Sequence, residues 1–475
     1  MVRRLSRSLR TSPSVATWGS FAARFLPLFI LPPFVFRSFS TVEATLWFLL
    51  ITLQGLQLLL ESNVGLTFIR AIGFAIGGAT QLRDQRMPDS DRLAGQENHA
   101  LLSRLWSSMR GLYRLVGLLT FLVIGTVGLW SAHALIVQLD DPSEGWAALA
   151  VFVVGAGLRA YGGLHISYLY GVGRIALLRW WEMGFWLLAF LAALGTLVAG
   201  GDLITVVVAY QIPLVANLFW NVVLARLDQN GRAGFTVPRS IDRNVVSQVW
   251  PGMWRAGMGV GIYLGVTQGA GLYYARIGPA QDVAIYLFAM SLMRPMIQFA
   301  QVPFFTKLPR LAALQASGER TTQVEVAQRG MVLSYALLAA MVLVTAGVLP
   351  VLAWAGGGEG ARVPLLLWAV IGLAAYLERI GGMHLQLYSQ TNHILWHWAN
   401  GGTAFLFVLF SWFLLPGLES LAFPTALCLA ILVFYMPYSM WHSYRSFKLA
   451  FPRFELRTSV LPLLMVLVLV MVALI

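Results

Sequence analysis

The chain has 475 residues, of which 58% are hydrophobic and only 11% are charged, and its formal net charge is +13 at pH 7. A soluble protein carries about 25% charged residues, so this composition excludes a soluble protein and predicts a membrane protein. The positive charge does not indicate nucleic-acid binding, because membrane proteins concentrate Lys and Arg in their cytoplasmic loops. The single cysteine, Cys428, excludes an internal disulfide.

Twelve apolar stretches are long enough to cross a membrane, which takes roughly 20 helical residues. We expect these spans at 15–36, 44–73, 113–131, 147–170, 183–200, 203–224, 254–275, 283–305, 330–350, 363–388, 396–415 and 421–441. A shorter apolar tail, 459–475, is marginal as a thirteenth span. The basic start "MVRRLSRSLR" leads into the first stretch without a small-residue cleavage site, so we expect a membrane helix there and not a signal peptide.

The basic residues lie almost entirely in the loops on the same side as the N-terminus. On the opposite side the loops hold only three basic residues, Arg37, Arg276 and Arg362. The same loops carry eight acids: Glu43, Asp140, Asp141, Glu144, Asp202, Asp282, Glu359 and Glu419. Because cytoplasmic loops are enriched in Lys and Arg, this asymmetry predicts a cytoplasmic N-terminus.

A faint internal repeat aligns "FRSFSTVEATLW" (36–47) with "ARIGPAQDVAIY" (275–286) without gaps. The repeat predicts an all-α fold with two six-helix lobes, related by a pseudo-two-fold axis along the membrane normal. Chance similarity of two short loops is the alternative. We expect an N-terminal lobe at 1–225, a cytoplasmic linker at 226–253, a C-terminal lobe at 254–441, and a C-terminal segment with the short hydrophobic stretch at 442–475.

The repeat also aligns two charged pairs in the predicted outer hairpins. Arg37 matches Arg276, and Glu43 matches Asp282. A two-fold axis would allow reciprocal ion pairs, Arg37 with Asp282 and Arg276 with Glu43, which would form a weak outer gate. The alternative is that each arginine pairs within its own hairpin or stays solvated.

Several charged residues fall inside the predicted spans. At about 1.5 Å per helical residue, Arg24, Arg159 and Arg294 lie near the midplane, and Arg70 lies near the inner interface. Such arginines usually face a bundle interior or a wet cavity, and their planar fork suits phosphate. We therefore expect these four to form a cavity for an anionic substrate. Neutralisation within the bundle is the alternative, and Arg70 could snorkel to the lipid headgroups.

Glu61 is an acidic residue at the depth of the inner leaflet, nine residues before Arg70. That spacing points the two side chains to opposite faces of the helix, so they cannot pair. Glu61 is therefore a candidate coupling-ion site or a structural partner of a neighbouring helix. The sequence indicates no metal site and no cofactor.

The sequence resembles one family of membrane proteins in four segments: "GLTFIRAIGFAIGGA", "GLYRLVGLLTFLVIGTVGLW", "GVGRIALLRWWE" and "LFAMSLMRPMIQFAQVPFFTKLPRLAAL". In order and spacing they are similar to the Wzx-type polysaccharide flippases of the multidrug/oligosaccharidyl-lipid/polysaccharide (MOP) exporter superfamily. The resemblance implies two six-helix lobes around a central cavity, in the bacterial inner membrane. It also implies alternating access that moves an undecaprenyl-pyrophosphate-linked oligosaccharide repeat unit from the inner to the outer leaflet, with other polysaccharide assembly proteins as further candidate partners.

Three alternatives stay open at this point. A small-molecule exporter of the same superfamily is the first. A membrane-bound polysaccharide polymerase or ligase is the second, although such enzymes usually have a large outer loop with catalytic Arg or His, and we expect no enzyme here. The third is a passive scramblase, which the sequence does not separate from a coupled flippase.

Overall fold

The computed structural model describes residues 13–76, 97–232, 241–308, 311, 314, 319–355, 362–391 and 395–475, and for part of the first, second and seventh helices it describes the backbone alone. All regular elements within these residues are helices. Among them, nine segments are long and apolar enough to cross a membrane. The predicted class, an all-α multi-pass membrane protein, is confirmed.

The chain divides into two compact units. Unit 1 comprises Met1–Phe34 and Leu53–Gly261, and unit 2 comprises Val35–Thr52 and Ile262–Ile475. Three helices contribute to both units because their ends fall on either side of a division. These are α1 (Pro13–Ser38), α2 (Thr41–Ile76) and α7 (Arg243–Ile277). The lobe boundaries expected from the sequence stay a prediction.

Unit 1 is completed by four further helices: α3 (His99–Ile136), α4 (Pro142–Gly171), α5 (Ile175–Val198) and α6 (Leu203–Asn230). Its buried core includes Phe68 from α2, Tyr113 from α3 and Tyr168 from α4. The C-terminal end of α6 is fixed by Asp228, which accepts hydrogen bonds from Arg174, Arg232 and the Tyr168 hydroxyl at 2.8–3.0 Å.

Unit 2 continues with α8 (Ala280–Phe305), α9 (Arg320–Ala355), α10 (Leu365–Tyr388) and α11 (Trp396–Leu418). The next membrane helix is built of α12 (Ala422–Ala430), a π-helical turn (Ile431–Tyr435) and α13 (Met436–Phe447). The chain ends in the short α14 (Arg453–Thr458) and in α15 (Val460–Leu474).

The helices extend past the predicted spans at their polar ends. Helix α3 begins at His99, where the Asn98 side chain accepts a hydrogen bond from Leu101 N at 2.9 Å, although its apolar stretch was predicted from residue 113. Helix α7 begins at Arg243, where the side chain of Asp242 accepts from Asn244 N at 2.9 Å. Hydropathy detects the apolar part of a helix alone, whereas capping side chains extend the helix into polar sequence.

The C-terminal helix α15 docks on unit 2 beside α9 and α10. Its 15 residues span about 22 Å, which is less than the roughly 30 Å of a bilayer core. Val466 is fully buried, whereas Leu461 and Val468 are exposed, so one face packs on the protein and the other stays apolar and open.

Candidate functional site

Charged side chains meet in unit 1 around one buried carboxylate, that of Glu182 on α5. Its Oε1 atom is paired with Arg24 Nη2 on α1, and its Oε2 atom lies 2.5 Å from Arg179 Nη1. Ser20 Oγ on α1 donates to the same Oε2 at 3.1 Å. Glu182 is 7% exposed and Ser20 is fully buried, so this carboxylate is held by two cations and a hydroxyl away from solvent.

Arg159 on α4 is held by two amide side chains. Its guanidinium donates to Gln211 on α6 and, at 2.7 Å, to Gln57 Oε1 on α2. Both glutamines are buried. Amides orient a guanidinium but do not neutralise it, because they carry no charge.

Aromatic rings connect these two groups of residues. The guanidinium of Arg24 lies over the ring of Trp186, 5.4 Å from its centroid, and Trp186 in turn meets Tyr210 edge-on at 6.3 Å. Tyr210 is followed on α6 by Gln211, which accepts from Arg159. We call Arg24, Arg159, Arg179 and Glu182 the arginine cluster; counted over these four described side chains, it holds three cations and one carboxylate.

The position of Arg159 depends on a glycine one turn before it. A Cβ atom on Gly155 would lie 3.1 Å from Gln211 Oε1 and 3.4 Å from Arg159 Nη1. The missing side chain thus lets the amide of α6 reach the guanidinium of α4. Gly155 and Gln211 also line an apolar groove of about 590 Å³ between α4 and α6, with Val154, Leu158, Ile212 and Phe219 among its walls.

The structure brings together two of the four predicted substrate-binding arginines, Arg24 and Arg159, within unit 1. Arg294 lies on α8 in unit 2, and its Nε atom is buried without a hydrogen-bond partner among the described residues. The side chains of Arg70 and Glu61 lie outside the described residues. A single cavity lined by all four arginines therefore stays a prediction.

The predicted gate residues all lie in unit 2, but no ion pair joins Arg37 to Asp282 or Arg276 to Glu43 among the described side chains. Glu43 instead caps α2, and its Oε2 atom accepts from Ser40 N at 2.7 Å. The gate hypothesis concerns one state of a transport cycle and stays a prediction.

A different contact joins the two matched hairpins in this structure. Thr45 Oγ1 donates to the carbonyl oxygen of Ala280 at 2.7 Å. Beside it, the rings of Phe36, Phe48 and Phe288 lie 5.2–5.6 Å apart. An uncharged hydrogen bond and an aromatic cluster therefore hold the α1–α2 hairpin on the start of α8.

The sequence prediction missed Glu182 and Arg179 as site residues. The fifth span was expected to begin at residue 183, whereas α5 begins at Ile175, so both charges were assigned to a loop. The signal was present in "RWWE", where an arginine and a glutamate three residues apart share one helix face. Gln57 and Gln211 gave no charge signal at all.

The fold is similar to that of transporters of known structure. The structure superposes on the lipid II flippase MurJ in an inward closed conformation with a TM-score of 0.68 and 9% identity, covering 96% of this chain and 91% of MurJ. It also superposes on an inward-facing multidrug resistance MATE family transporter, with a TM-score of 0.59, 11% identity, and coverage of 89% of this chain and 95% of the other. The chain has the fold of MOP superfamily transporters.

A third neighbour is a MOP superfamily transporter from Pyrococcus furiosus, described as having a binding pocket of reverse polarity. Its TM-score is 0.51 at 12% identity, and the match covers 93% of this chain and 98% of that one. No family model and no curated protein sequence matches this chain. The expected MOP fold is confirmed, whereas the Wzx-type family within it is a matter for proposal.

Proposed function

We propose that this protein is a flippase that moves undecaprenyl-pyrophosphate-linked oligosaccharide repeat units from the inner to the outer leaflet by alternating access. The observation that carries the proposal is the arginine cluster, in which the described residues place three partly buried guanidinium groups near one buried carboxylate. Charge buried in a membrane protein is costly and commonly marks the path of a substrate. Excess positive charge at such a site suits an anionic cargo.

The pyrophosphate is the part of this cargo that arginines recognise best. A guanidinium presents planar, paired donors that match phosphate oxygens, and it stays charged at every physiological pH. In this proposal Arg70, near the inner interface, meets the pyrophosphate first, and Arg24, Arg159 and Arg294 bind it deeper in the membrane. The groove between α4 and α6 offers an apolar surface beside Gln211, suited to a hydrocarbon chain.

A small-molecule exporter is the alternative that shares this fold, since the structure also matches a multidrug resistance transporter. Cationic drugs would be repelled by a cluster with excess positive charge, so the cluster favours the anionic cargo. The resemblance to lipid II flippase MurJ in fold is consistent with a lipid-linked cargo.

The remaining parts of the proposal concern the cell. We propose the bacterial inner membrane as its location, with a cytoplasmic N-terminus, and polysaccharide assembly proteins as partners. We also propose lobes at 1–225 and 254–441, joined by a cytoplasmic linker at 226–253 and followed by the C-terminal segment 442–475.

Transport by purified protein tests the proposal. The protein is reconstituted in liposomes with a fluorescent, pyrophosphate-linked isoprenyl oligosaccharide, and movement between leaflets is followed by quenching with dithionite. We expect the double variants Arg24→Ala/Arg159→Ala and Arg24→Ala/Arg294→Ala to lose transport while still inserting into membranes.

Arg114→Ala is the matched control, because Arg114 is an exposed arginine of α3 in the same unit. Transport at the wild-type rate by both double variants would refute the assignment of these residues. Transport of a cationic dye in place of the anionic lipid would favour the small-molecule exporter.

A further inference from the structure

Glu182 is paired with Arg24, which is one of the proposed cargo contacts, and with the neighbouring Arg179. Its two oxygens are shared between Arg24, Arg179 and Ser20, so the carboxylate bridges helices α1 and α5. The Nε atom of Arg179 is a further donor, because it is buried and has no hydrogen-bond partner within the described part of the chain. The pair of arginines can therefore hold an anion with more oxygens than a carboxylate offers.

The surroundings of Glu182 contain no second acid among the described residues. Arg24 and Ser20 face it from α1, and Arg179 faces it from its own helix. Beyond these, the ring of Tyr170 on α4 lies 5.2 Å from the Arg179 guanidinium, and Tyr210 on α6 contacts Trp186. Of the side chains that the structure describes at this site, Glu182 is thus the acidic group that can gain a proton.

We propose that Glu182 is a built-in competitor of the cargo and the site of a coupled proton. In the absence of cargo its carboxylate holds Arg24 and Arg179 in place. When a pyrophosphate binds these arginines, Glu182 loses both cations and takes one proton from solvent, which converts COO⁻ to COOH. The inference rests on the proposed function, because it requires an anionic cargo at this site.

The physical reason is that two anions cannot share these cations in a buried site. A pyrophosphate carries more charge and more acceptor oxygens than a carboxylate, so it displaces the glutamate. A carboxylate left in a poorly solvated place beside a second anion favours its neutral form. Binding of cargo and binding of a proton then promote each other, as linkage requires.

Proton uptake during binding tests this directly on the full-length protein in detergent. Farnesyl pyrophosphate serves as the probe, and calorimetric titrations in two buffers of different ionisation enthalpy give the protons bound per ligand. The titrations are run near pH 8, well above the second phosphate pKa of about 6, so that the probe itself stays ionised. We expect the wild type to take up about one proton per probe molecule bound.

Glu182→Gln removes the titrating group but keeps the size and an amide oxygen for Arg24 and Ser20. We expect this variant to take up about zero protons and to bind the probe about tenfold more tightly near pH 8, because the competitor is gone. Ser20→Ala is a milder variant that removes one donor to the carboxylate, so its proton uptake should extend to higher pH. Asp228→Asn is the matched control, because Asp228 is also held by two arginines and a hydroxyl but lies at the end of α6.

The outcomes separate this inference from the proposed function. If the folded wild type does not bind the probe, the anionic cargo and the inference both fail. If it binds the probe but takes up no proton, or if Glu182→Gln takes up as many protons as the wild type, the role of Glu182 is overturned alone. Uptake that is lost in Glu182→Gln and retained in Asp228→Asn supports it.

Discussion

Glu455 anchors the C-terminal segment, and its replacement should loosen that segment. The residue is 6% exposed on α14, and its Oε1 atom accepts from Tyr444 Oη at 2.7 Å and contacts His384 Nε2 at 2.9 Å. Its Oε2 atom accepts from Ser459 Oγ at 2.5 Å. One carboxylate thus joins α10, α13 and the start of α15.

Glu455→Leu would leave three donors without their acceptor, those of His384 and Ser459 buried and that of Tyr444 partly buried. The two buried donors each cost about 1–3 kcal/mol, so the loss is about 2–6 kcal/mol if the Ser459 hydroxyl finds no new partner, and the Tyr444 hydroxyl adds less. Glu455→Gln keeps one acceptor oxygen and should cost less. Thermal unfolding in detergent, followed by tryptophan fluorescence, should show Glu455→Leu melting several degrees below the wild type, with Glu455→Gln in between. Limited chymotrypsin digestion should release the C-terminal segment sooner.

The pH dependence of stability tests the role of Glu455 independently. Burial raises the pKa of Glu455, but the hydrogen bond and charge of His384 and the hydroxyls of Ser459 and Tyr444 outweigh it and hold the pKa below its ordinary value of 4.5. A depressed pKa stabilises the fold above the ordinary value, and this contribution is lost as the pH falls through the folded value. The gap between the wild type and Glu455→Gln should therefore be full at neutral pH and shrink below pH 4.5.

Glu325→Gln is the control, because Glu325 is exposed on α9 in the same unit. If Glu455→Leu and Glu325→Gln have the same melting temperature and are digested at the same rate, Glu455 does not anchor the segment. A gap that is constant from neutral to acidic pH would refute the electrostatic part of the reasoning alone.

Gly155→Leu should displace Gln211 from Arg159 and reduce transport, whereas Gly195→Leu, where a Cβ meets no atom within 4 Å, should transport normally; equal rates would refute the role of Gly155. Thr45→Val removes the hydrogen bond to Ala280. It should raise the reactivity of cysteines introduced into the outer hairpins, 36–47 and 275–286, towards a membrane-impermeant thiol reagent. If the ion-pair gate forms in another state, Arg37→Asp should open the outer side and added Asp282→Arg should close it again; a double reversal no more closed than the single would disprove it. If Glu61 binds a coupling ion, Glu61→Gln should make transport insensitive to an imposed gradient of that ion, and an unchanged gradient response would exclude coupling through Glu61.

The sequence determined the helices of this protein because hydropathy is a local property. Each of the twelve predicted spans coincides with a helix or, for the last, with α12, the π-helical turn and α13. The sequence also marked Arg24 and Arg159 as candidate site residues, because a guanidinium within an apolar span is energetically costly and usually functional. The MOP fold followed from the order of the quoted segments, and the structure confirms it.

The partners of those charges were decided by the tertiary structure alone. Arg24 and Glu182 are 158 positions apart in the chain, and Arg159 and Gln57 are 102 apart, so no local pattern could pair them. The ends of helices were misjudged for a related reason. Helix α5 begins before its apolar stretch, where Arg174 pairs with Asp228 and Arg179 pairs with Glu182, and that earlier start places Glu182 in the membrane helix instead of a loop. A charge is visible in a sequence, but the group that balances it depends on which helices pack together.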